Sequence, residues 1–327
     1  MKKSFYFMSL LLGLAVSGLT VSSCSDDDEE GGGGVISSDL FSVIDQNGAP
    51  HRVTSWGDGD YVCFDYNEIG LLCGIDWDGD YYYDVTVSGS SITLCYKDNE
   101  YKEKESVEVF LNGKGLITSA TETYSHNGED EEYHETLTTT CSYNSAGQLV
   151  KIEEKDKSNM VYLGKKYTYS STGTSNITWA DGNATKIVFV ENYNDDGEKG
   201  TWNEEVTLTY GTKVNPAKQG IADMLDYVVD SDLYLLIPFG LLGTGPANLP
   251  SKVTYKDGEN ALETYTPSYT LYSNGLIKKD GDWSYTYDEV QKVAKKAPIR
   301  PVAKRRALRN HRGRHFYKKM MTTMKRN

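Results

Sequence analysis

The sequence predicts an all-β protein, a long antiparallel meander rolled into a strongly curved sheet or soluble barrel, with one short helix and an apolar plug. Three observations carry that expectation. Runs of alternating polarity recur through residues 40–288, Asn-Gly and Asp-Gly pairs punctuate them, and tyrosine occurs 25 times against 8 phenylalanines. Period two with one apolar face marks a half-buried strand. Tyrosine suits such a surface, apolar underneath and wet at its hydroxyl.

The elements follow in chain order. Met1-Lys2-Lys3 gives a positive start, and Phe5 to Val21 is apolar apart from small residues. Diluted by Ser, Gly and Thr, that run falls short of a comfortable membrane span, so residues 1–23 read as a signal peptide. Ser22 and Ser23 stand directly before Cys24, an arrangement that resembles the bacterial lipobox. The resemblance implies diacylation of Cys24. At ~0.8 kcal/mol per buried methylene, two or three acyl chains would hold the protein to the membrane essentially for good.

Residues 24–39 form an acidic, Gly-rich tether, Ser25-Asp26-Asp27-Asp28-Glu29-Glu30 followed by Gly31 to Gly34. As a flexible coil it reaches about 20 Å. Several acidic residues just behind a lipidated Cys resemble the export signal of surface lipoproteins in certain Gram-negative bacteria. That resemblance implies a lipid-anchored protein on the outer face of the outer membrane. A solvated linker is the plain alternative.

Residues 40–288 read as a single β domain. Ser106-Val107-Glu108-Val109, Glu205 to Tyr210, Lys252 to Tyr255 and Ser284 to Tyr287 all alternate. Between such runs stand Asn47-Gly48, Asp58-Gly59, Asp78-Gly79, Asn112-Gly113, Asn127-Gly128, Asp181-Gly182, Asp196-Gly197, Asp257-Gly258 and Asn274-Gly275. These pairs predict type I′ turns, because both central residues of that turn need positive φ. One stretch departs from the pattern. Pro216 to Tyr227 predicts a short helix, and Leu233 to Leu242 is nearly all apolar, too short to cross a bilayer but suited to plugging a curved sheet.

Tyr143-Asn144-Ser145-Ala146-Gly147-Gln148-Leu149 and Tyr272-Ser273-Asn274-Gly275-Leu276 share one form: aromatic, polar turn, Gly, apolar strand. That unit resembles the YD-type repeats of long bacterial β-meander proteins. With the plug and Asn248-Leu249-Pro250, the chain resembles a family of uncharacterised bacterial lipoproteins, a domain of unknown function with a porin-like fold. The resemblance spans roughly residues 105–288, implies a wide curved sheet on a lipid tether, and implies no activity and no catalytic residue. A membrane pore is not expected: charged residues sit in most strands, where a lipid-facing barrel needs apolar outward faces.

Charge is divided sharply. The chain up to residue 290 carries −27, whereas residues 291–327 carry 14 Lys and Arg and no acid. An acidic body repels nucleic acid and anionic membranes. The basic segment 289–327 is expected to be a disordered tail, with its partner open. Cys63, Cys73, Cys95 and Cys141 show no metal-ligand spacing and are expected to be buried free thiols, with a disulfide between Cys63 and Cys73 across a hairpin as the alternative.

Two constellations offer chemistry. Asp76, Asp78, Asp80 and Asp84 partly copy the oxygen spacing of a calcium loop, although Val87 stands where a bidentate Glu would close it. Calcium is therefore the candidate cofactor, with a plain Tyr-rich hairpin as the alternative. Trp56, Trp77, Tyr81 and Tyr83, with Tyr82, Trp179 and Trp202, offer flat rings flanked by carboxylates, the physics of glycan capture. Strand aromatics also line cores. Serine-hydrolase, zinc-protease and phosphate-loop motifs are missing from the sequence. The function expected is thus non-catalytic binding at the cell surface, with glycans as a candidate ligand. A carboxylate-pair hydrolase and a ligand-free shell are the alternatives.

Overall fold

Alternation becomes one 18-stranded antiparallel sheet. The computed structural model describes residues 38–57, 62–77, 81–98, 102–128, 131–225, 232–257, 263–281 and 283–289. A 3-10 turn (Ser38–Phe41) leads into β1 (Ser42–Ile44) and β2 (Pro50–Gly57). Short strands follow: β3 (Val62–Tyr66), β4 (Leu72–Trp77), β5 (Tyr81–Ser88), β6 (Ser91–Asp98) and β7 (Glu103–Leu111). The next six are longer: β8 (Ile117–Asn127), β9 (Glu131–Tyr143), β10 (Leu149–Tyr162), β11 (Lys165–Ala180), β12 (Asn183–Asp195) and β13 (Glu198–Val214). A crossing segment then precedes β14 (Asn248–Asp257), β15 (Glu263–Tyr265), β16 (Tyr269–Leu271), β17 (Ile277–Asp280) and β18 (Trp283–Glu289).

From β2 to β15 each strand pairs with the next, and β18 returns to pair with β2, Tyr285 opposite Trp56. The sheet therefore curls most of the way round without closing. Among the described residues, no ladder joins β15 to β16, and Thr266-Pro267-Ser268 occupies the slit. Proline has no N–H to give a ladder. Lys213 of β13 reaches Tyr269 there, its Nζ donating to the carbonyl oxygen at 2.6 Å.

One end of this cylinder is sealed. Five turns there share a hydrogen-bond pattern, in which the first amide donates to the fifth carbonyl and the fourth amide to the first carbonyl. They start at Asp45, Asn67, Asn112, Asn144 and Tyr272. The fourth residue is Gly48, Gly70, Gly115, Gly147 or Gly275, each at φ between 76° and 84°. These are three-residue loops ending in a left-handed glycine, not the expected type I′ turns. Only one positive φ is needed, so Asn47 and Asn274 stay right-handed and the Asn112-Gly113 pair yields to Gly115. Type I′ geometry does hold at Asp181-Gly182 and Asp196-Gly197, with both residues of each pair at positive φ.

Inside that end lies the plug. The expected helix starts only at Ala222 and is described as far as Leu225, because Lys218 at φ 49° is left-handed and blocks an earlier start; residues 226 and 227 of the expected span lie outside the described residues. A 3-10 helix follows at Asp232–Phe239, with all its residues buried. Leu233, Leu235, Leu236, Ile237, Phe239, Leu241 and Leu242 fill the cylinder, each burial contributing about 1.5–3 kcal/mol. Phe239 meets Phe41 at 5.4 Å and Phe64 at 4.8 Å, and Tyr234 meets Trp56 and Trp77. Backbone bonds lock the plug to the turns, Ile117 to Leu241 and Thr244 to Gly147.

The outward face is polar, with Glu108, Glu153, Lys155 and Lys157 exposed mid-strand. A lipid-facing wall would lose about 2–4 kcal/mol per midplane Lys. Among the described residues, no helix is long and apolar enough to cross a membrane. Among the described residues, no disulfide joins Cys63, Cys73, Cys95 or Cys141. Burial was expected of all four, yet Cys63 and Cys95 point outward and are exposed. Cys141 faces the core, where burial, with the Glu154 charge beside it, pushes its pKa up to about 12.

Candidate functional site

The long strands overshoot the plug. β10 has 14 residues and β13 has 17, against 5 in β3 and 6 in β4. At ~3.3 Å per residue the strands of the tall wall are about 26–40 Å longer. Its inner face beyond the plug is not apolar, and it is sorted by charge.

The sorting follows from period two. In Glu103-Lys104-Glu105 both acids point inward and the lysine outward. In Glu154-Lys155-Asp156-Lys157 the same rule buries Glu154 and Asp156 and exposes both lysines. Register then stacks the inward residues in rows across strands. Leu137 stands opposite Glu122 and Asp156, Ser158 opposite Glu135 and Tyr169, and Gly173 opposite Glu154 and Glu191. Tyrosines interleave with the acids and hydrogen-bond to them. The Tyr133 hydroxyl donates to Glu135 Oε2 at 3.0 Å and the Tyr169 hydroxyl to Glu191 Oε1 at 3.1 Å. Burial first, and the neighbouring carboxylates second, raise the pKa of both phenols, which keeps them protonated as donors.

The wall ends on an exposed ring. Trp202 of β13 is 39% exposed on the inner face, its Nε1 donating to Glu204 Oε1 at 2.8 Å. Opposite it stands Glu191. Nearby, the hydroxyl end of Tyr193 occupies the space a Cβ on Gly200 would take, and Phe189 packs closely over Gly173. Strand glycines here make room for aromatic rings.

Deeper, Glu105, Glu122 and Asp232 bring carboxylate oxygens within 4.8 Å of one another. At that spacing mutual repulsion favours a shared proton or a hard cation. Two of the carboxylates accept protein hydrogen bonds. Tyr83 donates its hydroxyl to Asp232 Oδ2 at 2.9 Å, and the Asp232 amide donates to Glu122 Oε2 at 2.8 Å. The trio anchors the first residue of the plug's 3-10 helix.

At the sealed end, a cleft of about 650 Å³ is lined by Asp45, His51, Tyr272, Asn274, Leu276 and Tyr287. His51 Nε2 lies 3.1 Å from Asp45 Oδ2 and 3.3 Å from Asn274 Nδ2. Asp45 Oδ1 accepts the amides of Asn47 and Ala49, so this carboxylate serves the turn.

The residues expected to form a site fall in different places. Trp56 and Tyr83 have no exposed surface, Trp56 stacking on Trp283 at 4.5 Å. A ring inside the core offers no face to a sugar, which removes both from any glycan platform. Trp77 and Tyr81 are half-buried, Trp77 against Tyr234 and Tyr81 against Tyr96. Asp76 and Asp84 sit on the outward face of the β4–β5 hairpin, opposite Tyr82 and Gly74. Asp78, Asp80, Cys24 and the basic tail beyond Glu289 lie outside the described residues. The acidic inner face escaped notice although Glu-Lys-Glu and Glu-Lys-Asp-Lys signalled it: alternation of charge, read at period two, assigns a sign to each face.

No protein-family model matches the chain, and no curated protein matches it. Among solved structures, it is similar to a crystal structure described as a porin-like protein from Bacteroides vulgatus. Identity there is 14%, with 74% of this chain and 95% of that chain covered and a TM-score of 0.43. A second porin-like protein, from Bacteroides uniformis, gives 18% identity, 76% and 95% coverage, and a TM-score of 0.38.

Proposed function

We propose that this chain is a lipid-anchored protein of the Gram-negative outer membrane, displayed at the cell surface, whose body binds a ligand without catalysis. The lipobox ending at Cys24 and the acidic stretch behind it support the placement. The observation that carries the binding role is the bias of charge: Glu122, Glu135, Glu154, Asp156, Glu191 and Glu204 face inward on the tall wall with the tyrosines, whereas Lys151, Lys155, Lys157 and Lys186 face outward. Such a face attracts a cationic ligand, a basic peptide or a polyamine, and Trp202 adds a ring on which a cation can rest. Glycan binding is the second reading, favoured by the exposure of Trp202 beside Glu191 and Glu204. C–H groups of a sugar would stack on the indole while hydroxyls bond the carboxylates.

Titration of the full chain with oligolysine should show binding at low salt that weakens about tenfold or more at 0.5 M NaCl. Trp202→Ala combined with Glu191→Gln should remove it. A glycan array on the same chain separates the second reading. Silence in both assays would overturn the binding role. For the anchor, a fatty-acid probe should label the wild-type chain and leave Cys24→Ala unlabelled.

A further inference from the structure

We propose that the chain's own basic C-terminal segment, residues 292–327, is the occupant of the acidic inner face and docks on it in cis. This inference rests on the cationic-ligand reading above and names its partner. Residues 290–327 lie outside the described residues; their sequence supplies charge, length and chemistry.

Charge comes first. The segment holds 14 Lys and Arg without one Asp or Glu, against −27 on the rest of the chain. Lys151, Lys155, Lys157 and Lys186 of the tall wall turn outward, and the inner face carries only Lys165 at its rim and His126 between Glu103 and Glu131, so the wall's own cations leave much of that excess unmatched there among the described residues. Half-buried Glu103, Glu135, Glu191 and Asp195 stand on it within reach of a docking segment.

Length permits it. β18 ends at Glu289 beside His51, at the sealed end. A strand of 14 residues such as β10 spans ~46 Å, and 38 extended residues can span ~125 Å. The segment can therefore travel the height of the wall and still lie along it. Covalent linkage also keeps its local concentration in the millimolar range or above, ahead of most free polycations.

Chemistry fits as well. Arg305, Arg306, Arg309, Arg312 and Arg314 carry planar guanidinium groups, which take carboxylates in a fork and stack on aromatic faces. The inner face supplies both partners, the half-buried carboxylate of Glu191 and the exposed ring of Trp202 opposite it. A polyanion such as nucleic acid would have to approach past the body's own negative charge.

Carbodiimide coupling of the full chain tests this, since it joins a lysine amine to a carboxylate only where they touch. Amide links are expected from Lys295, Lys304 or Lys318 to Glu103, Glu135 or Glu191. In a mixture of heavy- and light-isotope chains each link should stay within one isotope class. Replacing Lys304, Arg305, Arg306, Lys318 and Lys319 with Gln should remove the links and tighten oligolysine binding about tenfold, by unmasking the face. Links confined to outward Glu108 or Glu153, or joining heavy to light chains, would overturn docking in cis. So would a tail that carries the wild-type chain onto anionic vesicles or DNA while giving none of these links. If the neutralised chain binds oligolysine but the wild type yields no links, the face stands and its proposed occupant falls. If neither chain binds, the cationic-ligand reading itself falls.

Discussion

Asp45 and Asn144 do the same work with different chemistry, and the difference is measurable. Each side chain accepts two backbone amides of its own turn, Asn47 and Ala49 for Asp45, Ala146 and Gln148 for Asn144. The bond from Ala49, helped by those from Asn47 and His51, holds the Asp45 carboxyl below its ordinary 3.8. A depressed carboxylate contributes stability that is whole above the unfolded value and is lost as pH falls through the folded one. Acidification from pH 5 to pH 3 should therefore lower hydrogen-exchange protection of Asn47 and Ala49 relative to Ala146 and Gln148, whose Asn cap does not titrate. Equal loss at both turns would refute the assignment. At this scale the sequence was legible in part. Gly48 and Gly275 announced turns, but the dipeptide alone could not reveal that Asp45, the first residue of its five-residue unit, does the capping, or that Gly115 rather than Gly113 takes the left-handed position.

The plug is the element on which the cylinder depends, and its crossing segment is held by close backbone contact. Gly245 donates to Lys218 O at 2.9 Å, and a methyl group there would strike the Gln219 carbonyl. Gln219 in turn ties three elements. Its Oε1 accepts the Ile277 amide at 2.7 Å, its Nε2 donates to the Tyr287 hydroxyl at 2.9 Å, and its carbonyl accepts from Asn215. Gly245→Ala should cost about 1–3 kcal/mol in denaturant unfolding. Gly113→Ala, with open space around its Cβ position, should be near neutral. Comparable losses would show that the crossing segment does not depend on this contact. The apolar run was legible because ten nearly continuous apolar residues inside an alternating chain have nowhere to go but a core. The start of the helix was not, because Lys218's left-handed backbone leaves no mark on composition.

For the whole molecule, the dominant fact is unbalanced charge on a sheet already built. The antiparallel meander followed from alternation and turn spacing, the apolar filling from the Leu233 to Leu242 run, and the curvature from the family resemblance. The acidic inner face did not, because it emerges only when register stacks Glu122, Glu135, Glu154 and Glu191 across neighbouring strands. Self-repulsion of that face destabilises the fold and is screened by ions. In the chain with Lys304, Arg305, Arg306, Lys318 and Lys319 replaced by Gln, where the basic segment no longer covers the face, raising NaCl from about 0.05 to 0.5 M should lift the thermal midpoint by several degrees. A midpoint that falls would mean that attractive pairs such as Lys151–Glu153 and Lys186–Glu205 outweigh the repulsion.

The slit at Thr266-Pro267-Ser268 has a mechanical consequence. Hoop tension in a fully laddered cylinder must break backbone hydrogen bonds wherever it yields, whereas here the girth can grow at one place without breaking a rung. Lys213 then acts as a clasp, its long stem spanning a gap whose width it does not fix. Something bulky entering the open mouth would be accommodated there, the wall hinging outward while the filled base stays rigid.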